Sequence, residues 1–453
     1  MTAGTEPRSA QRPAVAAPRP TRIALDDGAV GFLVENHDLP LVDISISLRT
    51  GSAFDPAEKV GLTRAFSRML RRGAAGLTSE DIEAAIDRLG GELAIEASPS
   101  SVNIHLQVIR RNLEPFVKLL AGVLTQPTFP ADELARLQRE TVAEIVESRD
   151  HDRSLVTRFF RRKLFGAHPY GRGSTGTSAT VGAISRDDVV AVHETQMRRA
   201  NLVLGVAGDL TADDVQHCVA PLVRAFPGGP VVRDATRDPI MQPNRRLVFV
   251  DKPARTQTQI LIGTLGTHVS DSDHVALHVA NTVFGGTFTA RLMKEVRSKR
   301  GWSYGASSRL PIERRREAFS MWTFPAATDA AACVQLEIEL LEALVSQGIT
   351  DEELAFAQNF LSESYAFDID TPYKRVRQAV DEELYALPSD YHTGYIDHVR
   401  AVTRDEANAA PKRRISVDNL LVAVVGTAAD IKEPIEGAIP RLASAEVVAF
   451  DAD

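Results

Sequence analysis

The chain has 453 residues, 44% hydrophobic and 25% charged, ordinary proportions for a globular protein but more length than one core usually supports, so two domains are expected. A net charge of −8 gives no basic surplus of the kind nucleic-acid binding requires, and no apolar run approaches a membrane span. Only Cys218 and Cys333 occur, in the apolar contexts HCVAPL and AACVQL, which leaves too few thiols for a disulfide framework or a thiolate metal site and predicts two buried small hydrophobes.

Residues 1–22 carry four prolines and four arginines without an apolar segment, so they read as a disordered tail and not as a signal sequence. A cytoplasmic location is therefore expected, or a periplasmic one for a chain already relieved of its signal. Next come the strand-like run LVDISISLRTG and the stretch GLTRAFSRMLRRG at 61–73, where Leu62, Phe66, Met69 and Leu70 recur at helical spacing. Arg64, Ser67, Arg68 and Arg71 share the opposite, polar face of that helix. VNIHLQVI reads as a strand, DELARLQ from Asp132 opens a helix that reaches Glu144 in VAEIVES, and AHPYGRGSTGT follows with His168 in a turn. NLVLGVAG closes this half as a strand.

The Pro-, Gly- and Asp-rich stretch at 226–244 predicts a linker, after which the pattern starts again. Residues 185–211 and 403–429 match without a gap: Arg186 with Arg404, Asp187 with Asp405 and Asn201 with Asn419. DELARLQ is echoed by EELAFAQ from Glu352. The chain is thus two copies of one unit, at 23–225 and 245–453. Strands interleaved with amphipathic helices predict an α+β fold with helices packed on one face of a sheet in each copy. Within the second copy, RLVFVDK, TQILIGTLG and NLLVAVVG are the strand-like runs.

His274 and His278 form H-x-x-x-H on a helix, with Asp271 and Asp273 just upstream, a spacing that suits metal but lacks a third ligand. Arg297 and Tyr304, in FGGTFTARLMKEVRSKRGWSYG, are donors able to grip a peptide carbonyl; alternatively they are a helix charge and a core ring. The Gly285-Gly286 pair before them suits a tight turn or close ligand approach, and no phosphate-loop pattern accompanies it. The run Arg314 to Arg316, flanked by Glu313 and Glu317, reads as a solvated face.

RTGSAFDPAEKVGLTRAFSRMLRRG, AHPYGRGSTGT, ANLVLGVAGDL, FGGTFTARLMKEVRSKRGWSYG and TPYKRVRQAVDEELYALPSDY together resemble the pitrilysin and mitochondrial-processing-peptidase family of inverted zincins. The resemblance runs from about residue 23 to the end and is to the half-length, two-subunit bacterial type, in which two homologous domains form half of a clamshell. It implies that H-x-x-E-H should stand where this sequence has Arg64, Ser67 and Arg68, with a zinc-ligating Glu at the position of Glu144. Guanidinium has no lone pair for a metal and Ser67 is no general base, so this chain is expected to bind no zinc and to hold no catalytic residue of its own. Glu144 then is either paired with Arg64 or Arg68 or an exposed helix residue.

The resemblance further implies that Arg297 and Tyr304, beside Gly285 and Gly286, hold a peptide substrate, with zinc carried by a homologous partner chain in a heterodimer. That reading makes the chain the non-catalytic, substrate-binding subunit of a zinc endopeptidase, acting on peptides or unfolded polypeptides. An exposed strand in each half suits addition of an extended peptide. The alternative is a scaffold or peptide-holding chaperone subunit. A self-sufficient hydrolase finds no support, since no G-x-S-x-G elbow is present.

Overall fold

The computed structural model describes residues 19–25 and 28–452. Two six-stranded mixed sheets dominate it. The first comprises β1 (Thr21–Ala24), β2 (Val30–Glu35), β3 (Leu41–Leu48), β4 (Glu92–Ala97), β5 (Val102–Ile109) and β6 (Leu202–Gly208), ordered β1-β2-β6-β3-β5-β4. The second comprises β7 (Arg245–Asp251), β8 (Gln259–Leu265), β9 (Ala306–Arg309), β10 (Ala318–Thr323), β11 (Leu421–Gly426) and β12 (Leu442–Ala449), ordered β12-β7-β11-β8-β10-β9. In both sheets the first core strand pairs parallel with the last (β2 with β6, β7 with β11), and the remaining core pairs are antiparallel. The outer strands differ, β1 running antiparallel to β2 and β12 parallel to β7. Residues 1–18 of the expected tail lie outside the described residues, whereas Thr21 and Arg22, which the sequence reading placed in it, pair in β1.

Side-chain alternation sets the layers. Val42, Ile44, Ile46 and Leu48 of β3 point into one core with helices α1 (Leu62–Met69), α2 (Ser79–Leu89) and α3 (Leu113–Thr125). The next two helices are α4 (Ala131–Ser148) and α5 (Asp152–Phe165). α5 leaves its own half: Leu155, Val156, Phe159, Phe160 and Leu164 pack on Val248, Leu261, Ala423 and Val425 of the second sheet. In return the helix Pro372–Tyr385 of the second half lays Val376, Val380 and Leu384 on Val34, Val203 and Ala207 of the first sheet. Each sheet thus carries its own helices on one face and a helix of the other half on the opposite face. Two-sided cover explains why β6 and β11 are buried along their whole length and read as near-continuous apolar runs.

Residues 226–244 form neither helix nor strand and are pinned to both halves. His168 bonds the Arg237 carbonyl at 2.8 Å, and Arg315 donates to the Thr236 carbonyl and to Asp234. This corrects the reading of Arg314 to Arg316 as a solvated face. Arg314 donates to the carbonyls of Arg49 and Leu384, Arg316 bonds Asp271, and the flanking Glu317, 4% exposed, takes both terminal nitrogens of Arg161 at 3.0 Å. The run is a polar knot between halves, because burial forces each cation onto a carbonyl or carboxylate. Cys333 is buried, but Cys218 lies on the rim of the first core and is only partly buried, contrary to the expectation of two buried thiols.

Candidate functional site

Helix α1 begins at Gly61, whose φ of 103° suits glycine and where a Cβ would meet the Thr175 carbonyl oxygen at 2.8 Å. The buried Asp55 carboxylate accepts from the Gly61 and Thr63 amides, both at 2.9 Å, fixing the helix start. Its apolar face is anchored by Phe66, Met69 and Leu70, all fully buried, and Arg64 and Arg68 reach across to α4.

There one carboxylate bridges two guanidiniums. Arg64 Nη2 donates to Glu144 Oε2 at 2.7 Å and Arg68 Nη1 to Glu144 Oε1 at 2.9 Å. Burial pushes the Glu144 carboxyl up, but the two guanidiniums, Arg64 foremost, outweigh it and hold the group below the usual carboxylate range. The pairing continues along the helices: Glu140 accepts from Arg72 at 2.5 Å and Arg136 at 3.0 Å, and Arg72 also reaches Glu133. Ser67 is buried and spends its hydroxyl on the Thr63 carbonyl at 2.8 Å. These residues do not fit a zinc ion. Two fixed cations occupy the reach of Glu144 where a metal would need lone pairs, and no group of three or more His, Cys, Asp or Glu among the described residues could hold one.

The histidine pair is buried beside tyrosine rings. His274 is buried, with Nε2 3.1 Å from the Tyr391 hydroxyl, and burial, aided by His278, pushes it down to about 4. His278 is lowered by burial too and packs edge-on to Tyr395. Asp271 and Asp273 are taken by Arg316, Arg413 and Arg414. His168 accepts from the Tyr170 amide through Nδ1 and donates through Nε2 to the Arg237 carbonyl, which defines a neutral tautomer with a structural task.

The second half holds an exposed cluster. Arg297 lies in a π-helical turn, Lys294–Lys299, and its guanidinium sits 4.3 Å from the Tyr304 ring centre and 4.6 Å from that of Phe288. Tyr304 is 75% exposed and Phe288 67% exposed, so the cation is held between two rings that solvent reaches. Nearby Lys299 and Arg300 are both tied to Glu295 instead. Phe288 escaped the sequence reading; its signal was an apolar ring in TFTAR at a position with no helical or strand role. Gly285 proves to be a packing glycine, since a Cβ there would lie 2.4 Å from Ser308 Oγ on β9, whereas Gly286 is exposed.

A duplicated α+β unit with exchanged helices, whose first copy carries a charge-bridged helix pair where the resemblance places zinc, defines a metallopeptidase-type fold with arginines at two of those positions. Residues 32–178 match the insulinase domain, peptidase family M16, and residues 183–361 match the domain described as peptidase M16 inactive domain. The chain belongs to the M16 peptidase family. It is similar to an uncharacterized zinc protease of Mycobacterium leprae, 28% identical over 73% of this chain and 75% of that one. It also resembles a protein of Helicobacter pylori named as a non-peptidase homolog, 20% identical over 86% of this chain and 90% of the relative. Among solved structures, a peptidase M16 inactive domain from Pseudomonas fluorescens superposes with a TM-score of 0.84 at 26% identity, covering 90% of this chain and 98% of that one.

Proposed function

We propose that the chain is the non-catalytic subunit of a two-chain zinc endopeptidase, binding extended peptide and completing in trans the site of a homologous partner that carries the zinc. The observation that supports this reading is the Arg297 guanidinium, stacked between Phe288 and Tyr304 on an exposed surface with its edges turned to no carboxylate among the described residues. A planar fork held by stacking is pre-oriented to donate to a peptide carbonyl, and the neighbouring phenol is a second donor for the oxyanion that forms when water attacks. A core ring or a charge serving only solubility needs no such sandwich.

The test is turnover of the reconstituted heterodimer. Tyr304→Phe should lower kcat on the order of 100-fold with a smaller change in KM, as loss of an oxyanion donor does. Arg297→Ala should be at least as severe, and Arg300→Ala, which removes a partner of Glu295 and a contact with the Trp302 ring, mild. Near-normal turnover in both Arg297→Ala and Tyr304→Phe refutes the reading and favours a scaffold subunit.

A further inference from the structure

We propose that a second recognition site, for a peptide carboxylate, lies in a cavity of about 670 Å3 lined by residues of the first half, Glu144 among them, beside the seam where α5 meets the second sheet. This rests on the reading that the chain binds extended peptides, and it specifies which of them. The chain is acidic as a whole, yet this wall gathers Arg153, Arg158, Arg161 and Arg172 against one carboxylate, and that carboxylate is already held by Arg64 and Arg68. Such a concave concentration of one sign focuses an attractive field on anions.

The four cations are not equivalent. Arg161 is committed to buried Glu317, and Arg158 donates to the carbonyls of Phe450 and Ala452. Arg172 gives one nitrogen to the Asp55 carbonyl at 3.1 Å, a neutral acceptor that leaves its charge uncompensated. The Arg153 guanidinium carbon sits over the Trp322 ring, 3.8 Å from its centre. Stacking occupies the face of a guanidinium and leaves its edge, the side that meets a carboxylate in a two-point fork. The indole is itself fixed by its N–H, which donates to Gln259 at 2.9 Å. Ser154, Ser174 and Thr175 put further hydroxyls on the wall. The volume suits several residues of peptide, and an anion entering it would be bound by Arg153 and Arg172 without displacing an existing ion pair.

The carboxylate has two sources, an acidic side chain or the C-terminus of the peptide, and calorimetry on the full chain separates them. The probes are a hexapeptide with both ends blocked and a central Asp-Glu, its Asn-Gln counterpart, and a hexapeptide with neutral side chains and a free C-terminus. At least one carboxylate-bearing peptide should bind on the order of tenfold tighter than the blocked neutral one, the worth of a charge-assisted hydrogen bond. That preference should vanish in Arg153→Gln and in Arg172→Gln, and persist in Arg300→Ala, whose guanidinium is tied to Glu295. Equal binding of all three peptides overturns the seam site while leaving peptide binding intact; so does a preference that survives Arg153→Gln. Absence of binding by any of them overturns both readings. Should Arg172→Gln fail to fold for want of its anchor on Asp55, Arg153→Gln alone decides.

Discussion

Glu337 lies on the helix Ala330–Gln347, wholly buried, and neither carboxylate oxygen has a hydrogen-bond partner among the described residues. Burial raises its pKa from 4.5 to about 8. The sign follows directly: the folded group holds its proton when the unfolded one has lost it, so the associated stability is intact below the ordinary carboxylate range and is lost as pH rises toward 8. With those two values the loss at neutral pH is about 3 kcal/mol, most of which accrues between about pH 5 and about pH 7. Glu337→Gln keeps the shape and abolishes the titration. In urea unfolding followed by circular dichroism, the wild-type chain should lose about 2–3 kcal/mol more than the variant over that interval, other carboxylates cancelling in the comparison. Parallel pH dependences in the two proteins would refute the assignment of a buried neutral carboxyl.

Purified alone, the chain should contain no stoichiometric zinc by elemental analysis and cleave no peptide; one zinc per chain with chelator-sensitive cleavage would contradict the account of Arg64, Ser67 and Arg68. Glu144→Gln should cost about 1 kcal/mol in a urea melt, the scale of a partly exposed pair. Because its pKa is held low, that difference between wild type and variant should shrink as pH falls through the folded value, whereas a constant difference would mean packing and not charge. Breaking the buried Arg161–Glu317 pair by Glu317→Ala should cost about 3–5 kcal/mol, and removing both charges as Arg161→Met with Glu317→Met clearly less, as thermal melts of the three proteins would show. Gly205→Ala should destabilise by about 1–3 kcal/mol through overpacking, since its Cβ would lie 2.6 Å from Ser45 Oγ and 2.9 Å from Val380; an unchanged melting temperature would speak against the helix exchange.

What the sequence disclosed and what it withheld divide along physical lines. Strand alternation and the gapless match of 185–211 to 403–429 are local patterns, and the two matching sheets follow from them. The inability of Arg64 and Arg68 to ligate metal is chemistry intrinsic to the guanidinium. Partners across long separations are not local. Nothing near Arg314 signals that it will bond the carbonyl of Arg49, so a charge run looked solvated. Likewise α5 and the helix Pro372–Tyr385 display apolar faces in sequence, but a periodicity says that a face is buried and not against which sheet. Phe288 and the Arg153–Trp322 stack were invisible for the same reason, the second joining residues from different halves.

The exchanged helices also bear on what holds the fold around Glu144. Glu144 ties α1 to α4 between two arginines, and Glu140 repeats the device one turn away with Arg72 and Arg136. These pairs are partly exposed and individually weak, so they orient the helices more than they stabilise them. The stabilising burial lies elsewhere, where Phe159 and Phe160 of α5 cover the second sheet and Val376 and Val380 cover the first. Changes at Arg64 and Arg68, which are only partly exposed, should therefore leave the core beneath α1 largely intact. The relative placement of the two halves is set by these apolar contacts of α5 and of the helix Pro372–Tyr385, away from Glu144.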